Sequence, residues 1–217
     1  MALRHILIAA SCAVLAAFPS FADTATEDFV RANANSVLQS LNDPELDDAG
    51  RRVAFQEYMD EFTNIDAVAR FVIGRYSKRF SEAELEQYTD TFRVYALAVY
   101  EFYFNEFKGQ AVEVVGSDDR PAQRPDGQPP RESIVRTEVI RADGSAMEVR
   151  WRVMNRRGEY QVVDVALEDN GNLIWLAIEQ QAQFLSVLDR NNGSADALIS
   201  KIESMTEQLK DGEQPTG

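Results

Sequence analysis

The spacing of apolar residues switches near residue 110 of this 217-residue chain, and with it the kind of structure the chain can form. Up to Phe107 apolar side chains recur at three and four positions, the period of one face of a helix. Ile65, Val68, Ala69, Val72 and Ile73 follow this rule and predict a helix running to about Arg79. Beyond Ala111 the period falls to two, that of a strand. Met147, Val149, Trp151 and Val153 alternate with Glu148, Arg150 and Arg152, so one face of that strand is apolar and the other charged. Helices followed by a run of strands predict an α+β fold.

Local signals set the expected boundaries. Phe29, Val37, Leu38 and Leu41 mark a first helix from Asp23 to Leu41, Asn42-Asp43-Pro44 breaks it and starts a second, and Gly50 to Phe62 is a third, short one. Ser81 with Glu84 three positions on is a capping box, which opens a long helix ending near Phe107 at the stop signal Lys108-Gly109. Strands are expected over Ala111 to Val115, Glu132 to Arg141, Ala146 to Asn155 and Glu159 to Glu168, with hairpin connections at Ala142-Asp143-Gly144-Ser145 and Arg156-Arg157-Gly158. Gly116 to Arg131, with Pro121, Pro125, Pro129 and Pro130, reads as a long exposed loop. After Asp169-Asn170-Gly171-Asn172 the chain returns to helix over Ile178 to Asp189 and Ser194 to Lys210, and Gly212 to Gly217 reads as a disordered tail. The expected architecture is an antiparallel sheet of four to five strands, wrapped on one side by an N-terminal helical layer and closed by C-terminal helices, all in one domain over residues 23–211.

Arg4 and His5, the apolar run from Ile6 to Ala17 and the small residues flanking Phe21 in Ser20-Phe21-Ala22 make residues 1–22 a secretory signal peptide, cleaved after Ala22. The run is short of the roughly 20 residues of a membrane span. Acylation on Cys12 is the rival reading, but Ala9-Ala10-Ser11 lacks the leucine expected at −3. Cleavage would remove the only histidine and the only cysteine, His5 and Cys12. The mature chain would then have no Ser/His/Asp or Cys/His nucleophile system, no His- or Cys-ligated metal site and no disulfide. It would also lose one base, Arg4, and no acid, so the formal charge of −14 becomes more negative still. Such an excess repels nucleic acid and anionic headgroups, although plain solubility explains it equally well.

Fourteen of the 21 aromatic residues lie between Phe55 and Phe107. On the long helix Tyr88, Phe92, Tyr95, Val99, Phe102 and Tyr103 form one stripe, and Leu97, Tyr100, Phe104 and Phe107 a second. Two apolar faces mean either a helix sandwiched in a solid core or a helix with one face on a cavity, and the pattern allows both. Tyr160, Val162, Val163, Val165 and Leu167 lie on both sides of their strand and predict cover on both faces. Asp164 interrupts them. A buried acid needs a partner, and Arg150 or Arg152 on the neighbouring strand is the expected one, giving a structural ion pair; a carboxylate acting as acid or base is the alternative. Phosphate-binding glycine loops, the G-x-S-x-G nucleophile elbow and the EF-hand loop are absent from the sequence. Asn192-Gly193-Ser194 fits a sequon but reads better as a helix break followed by an N-cap.

The run Asn64-Ile65-Asp66 through Val72-Ile73-Gly74-Arg75-Tyr76, the capped aromatic helix, Tyr160-Gln161-Val162-Val163-Asp164-Val165, and Gln183-Phe184 followed by Asn192-Gly193 and Leu198-Ile199 together resemble the MlaC/toluene-tolerance family of periplasmic phospholipid-binding proteins. The resemblance covers about residues 55–203. It departs from the family pattern at Asp169-Asn170-Gly171-Asn172-Leu173 and at Gln181-Ala182, positions expected near the pocket mouth or a docking face. It implies a periplasmic carrier, monomeric and without cofactor or metal, that encloses the acyl chains of a phospholipid. The implied partners are an outer-membrane lipoprotein complex and an inner-membrane ABC transporter with its substrate-binding-domain subunit, serving outer-membrane lipid asymmetry, and nucleic acid is not among them. The residues expected to touch lipid are Tyr76, Phe92, Tyr95, Val99, Phe102, Tyr103, Met147, Trp151, Val163, Val165, Leu173 and Phe184. Each methylene buried is worth about 0.8 kcal/mol, so roughly 30 of them amount to about 24 kcal/mol, and a carrier must enclose the tails. Other readings are a carrier of a flat lipid such as a hopanoid, an enzyme on a cone-shaped α+β fold, and an adaptor with a solid core.

Overall fold

The computed structural model describes residues 24–106, 111–120, 130–140, 144–169 and 171–213. The expected leader at 1–22, the stop signal at 108–109, Pro121, Pro125 and Pro129, the hairpin residues 142–143, Asn170 and the tail residues 214–217 lie outside the described residues, as do Phe107 and the side chains of Tyr100, Tyr103 and Phe104.

Helix α1 spans Thr24–Leu41 and α2 spans Asp48–Phe62. Asn42-Asp43-Pro44 ends α1 as expected but starts no helix of its own. Asp47 is the N-cap instead, its Oδ1 accepting from Gly50 N at 2.7 Å, while Arg51 ties back to the carbonyls of Asp43 and Leu46. Helix α3, Ile65–Val72, is shorter than its apolar pattern predicts. Gly74 has φ +51°, which stops the helix, and Gly74–Lys78 continues as a 3-10 turn. The long helix α4, Glu82–Glu106, starts on the expected capping box: Ser81 N donates to Glu84 Oε2 at 2.8 Å.

Five strands follow in an antiparallel meander of order β1-β2-β3-β4-β5, with β1 Ala111–Arg120, β2 Glu132–Ile140, β3 Ala146–Arg156, β4 Glu159–Asp169 and β5 Asn172–Trp175. Strand β1 runs five residues past its expected end. A bulge between Val114 and Gly116 (φ +147°) carries the polar segment Ser117–Arg120 back into register with β2, and Asp119 accepts from Ser133 Oγ at 2.7 Å. The sequence hides this extension because an edge strand with one wet face needs no apolar alternation there. Arg157 (φ 61°) and Gly158 (φ 93°) form the left-handed two-residue turn between β3 and β4. Helices α5, Leu176–Arg190, and α6, Ala195–Lys210, complete the chain, α6 capped by Ser194 Oγ on Ala197 N.

Burial divides the interior in two. On the sheet, Val135, Val139, Met147, Val149, Val153, Val162 and Val165 pack under Val30, Ala34 and Leu38 of α1. The other cluster is helical, built from α2 to α6 with Val37 of α1, around Tyr88, Phe92, Tyr95, Phe184, Leu188, Leu198 and Ile202. Helix α4 therefore packs on α6 in the helical core, because α1 takes the sheet face that α4's apolar stripe could otherwise cover. Its rings interlock: Phe184 lies edge-on to Phe92 with centroids 6.2 Å apart and 6.0 Å from Tyr95, and Tyr88 Oη donates to the Ala69 carbonyl at 2.8 Å.

Candidate functional site

Where the two cores meet, packing is incomplete. A cavity of about 70 Å³ lies between α3, α4, β4 and α5, walled by Ile65 and Val68, by Phe92, Tyr95, Ala96 and Val99, by Val162 to Val165, and by Leu176, Ala177 and Gln180. A second, of about 30 Å³, lies between α1, α2 and the sheet, walled by Val30, Ala34, Val37, Phe55, Met59, Phe62 and Trp151 among others. Thr63 and Val162 belong to both walls. They are joined by an isolated parallel β-bridge, which runs along the boundary the two spaces share.

The local sequence explains why the gap opens here. A bulge between Arg152 and Val153 inserts Val163 as an extra residue on β4, which bends the strand. Beyond it, β5 leads into α5 through Trp175, an N-cap residue whose side chain makes no capping bond. Asp164 supplies the missing cap from β4: its Oδ1 accepts from Ala177 N at 2.8 Å and from Val165 N at 2.9 Å. The ion pair expected of Asp164 with Arg150 or Arg152 does not form. Arg152 faces Asp164 in register, but its Nε and Nη2 each hold Glu132 at 3.1 Å, and Arg150 holds Glu148. Oδ2 of Asp164, in a residue only 6% exposed, has no hydrogen-bond partner among the described residues. Burial pushes this carboxyl above the usual carboxylate range. The Ala177 and Val165 amides and the charge of Arg152 oppose that shift without cancelling it.

Of the residues expected to touch lipid, Phe92, Tyr95, Val99, Val163 and Val165 line the larger cavity and Trp151 the smaller. The other described ones are elsewhere. Met147 is packed in the sheet core and Phe184 in the helical core, both buried. Tyr76 is held beneath Gly193, its hydroxyl donating to Asp189 Oδ1 at 2.5 Å and its ring flanked by the guanidinium groups of Arg75 and Arg79. Phe102 is half-buried against the helical core, Leu173 is half-buried on β5, and the side chain of Tyr103 lies outside the described residues. Sequence reasoning missed Thr63, Ala96, Leu176 and Gln180 as wall residues. Thr63, Ala96 and Gln180, small or polar, carry no periodic apolar signal, and Leu176 stands at the junction of β5 and α5, where no period is established. Ile65, Val68 and Val162 did carry one, as members of amphipathic elements.

No curated protein matches the chain. Among solved structures, a phospholipid-binding protein from Ralstonia solanacearum, determined in complex with a phospholipid, superposes with a TM-score of 0.66 at 19% sequence identity, covering 84% of this chain and 97% of that one. The family model described as MlaC protein matches residues 31–204. That span runs from within α1 to most of α6 and takes in every described wall residue of the larger cavity, and the chain belongs to the MlaC protein family.

Proposed function

We propose that this protein is a periplasmic carrier that encloses the acyl chains of a phospholipid between α3, α4, β4 and α5, and ferries it between an outer-membrane lipoprotein complex and an inner-membrane ABC transporter. The observation that carries this reading is the apolar cavity at the junction of the two cores, whose wall includes only Thr63, Asp164 and Gln180 as polar residues besides the Tyr95 hydroxyl. Family membership and the phospholipid held by the Ralstonia solanacearum relative support the choice of ligand.

A cavity of about 70 Å³ is far smaller than the roughly 300–1,000 Å³ that encloses a drug-sized ligand, so loading requires the walls to part. The seam is suited to it. The helical layer and the sheet have separate cores, and opening the Thr63–Val162 bridge would let the two cavities widen toward each other, their walls supplied by both cores. A dozen methylenes moving from water into the widened space would contribute about 10 kcal/mol, enough to offset a parted seam, while the headgroup stays at the rim. Binding and transfer need no nucleophile, and energy for directional transport would come from the ATP-driven partner.

Protein purified without detergent, extracted with organic solvent and analysed by mass spectrometry should yield a stoichiometric phospholipid, and delipidated protein should take phospholipid up again from liposomes. Lipid-free protein that also takes up none would overturn the proposal.

A further inference from the structure

We propose that two buried acceptor oxygens, Asp164 Oδ2 and Gln180 Oε1, form a subsite on the cavity wall, which hydrogen-bonds an O–H or N–H donor of the lipid headgroup and makes the carrier prefer headgroups that have one. This rests on the phospholipid reading above. Both residues line the same cavity. Asp164 spends Oδ1 on the amides of Ala177 and Val165, leaving Oδ2 buried without a partner, and Gln180 Oε1 is likewise buried without one. Buried acceptors are nearly always satisfied, and an unsatisfied one is costly, most of all when charged. The nearby cations are engaged elsewhere, Arg152 by Glu132 and Arg150 by Glu148. Gln180 is only half-buried on α5, which places the pair where a headgroup would rest once the tails have entered.

Two acceptors call for donors. The ester and phosphodiester oxygens of a diacyl phospholipid accept only, so the donor must belong to the headgroup. An ethanolamine ammonium and the hydroxyls of a glycerol headgroup qualify, whereas a choline has neither N–H nor O–H. The long-range field of a chain with formal charge −14 does not select for anionic headgroups, so a preference for both donor classes over choline would have to arise locally.

The test offers delipidated full-length protein liposomes of equal parts phosphatidylethanolamine, phosphatidylglycerol and phosphatidylcholine, and counts the bound species by mass spectrometry. Wild-type protein should enrich ethanolamine lipid, glycerol lipid or both over choline lipid by about tenfold, the factor one hydrogen bond to a charged group supplies. Enrichment of ethanolamine lipid alone identifies the ammonium as the donor, and enrichment of both identifies any O–H or N–H. Asp164→Asn keeps an oxygen for the Ala177 and Val165 amides but replaces Oδ2 with an amino group, and should abolish the enrichment. Gln180→Met removes the second acceptor at similar length and should reduce it, which keeps the test decisive if Asp164→Asn folds poorly. Equal uptake of all three lipids by wild-type protein, or wild-type ratios in both variants, would overturn the inference, mean that enclosed water serves the acceptors, and leave the phospholipid reading standing. No uptake of any lipid would overturn both.

Discussion

Ionised Asp164 opposes folding even as its Oδ1 caps α5. Its carboxyl keeps a proton to higher pH in the folded chain than in the unfolded one, because burial penalises the charge. Between those two values the unfolded chain binds fewer protons, so stability falls as pH rises through the window. Asp164→Asn retains a capping oxygen without the charge. We expect it to be more stable than wild type once the carboxyl is ionised and to lose part of the decline as pH rises above the ordinary aspartate value, as measured by urea unfolding across a pH series. Asp189 has the opposite sign: the Tyr76 hydroxyl, then Arg75, hold its carboxyl below the usual range, so its contribution is present above the unfolded value and disappears as pH falls through the folded one. Tyr76 also sets the second prediction at this scale. A Cβ at Gly193 would sit 2.8 Å from Tyr76 Cε1, at a φ of +78°. Gly193→Ala should therefore destabilise by about 2 kcal/mol in denaturant unfolding, and by less in a Tyr76→Leu background, where only the backbone strain remains. Asp164 stood out in the sequence as an acid among valines, but its partner did not. Which group reaches it depends on a β-bulge and on a helix start thirteen residues further along, neither of which leaves a local mark.

Elements whose signal is local were legible. The Ser81-to-Glu84 box reads directly off four residues and forms as read, so Ser81→Ala should lower the urea midpoint by an amount equivalent to about 1 kcal/mol with an unchanged slope. The left-handed turn at Arg157-Gly158 and the Ser194 cap were legible for the same reason. Where a boundary depends on tertiary partners, the pattern overran or fell short. The apolar period of α3 continues through Ile73, yet Gly74 ends the helix and turns Tyr76 inward beneath Gly193. Ser117 to Arg120 has no apolar period and still pairs with β2 through its backbone. For α4 the period showed that a face is buried and did not show against what, since α1 and α4 carry equivalent claims on the sheet.

Across the whole molecule, the α+β order of helices, meander and closing helices was legible because the apolar period changes only twice. The cavity wall was legible in part. Phe92, Tyr95 and Val99 line it, while Phe184 and Met147, with the same apolar signal, fill the two cores. Hydropathy reports that a side chain leaves water and does not distinguish a packed neighbour from an empty one. Val99 tests the assignment. It is half-buried at the larger cavity, so Val99→Trp should grow into that space, reduce phospholipid uptake from liposomes severalfold and change unfolding free energy by about 1 kcal/mol or less. A variant that loads normally would remove this stretch of α4 from the lipid site.

The Thr63–Val162 contact is a single stitch along the seam between two cushions. Undoing it sacrifices little backbone bonding. A vessel fastened this way could swell around long contents and shrink again when empty, so that unladen it would present little grease to water.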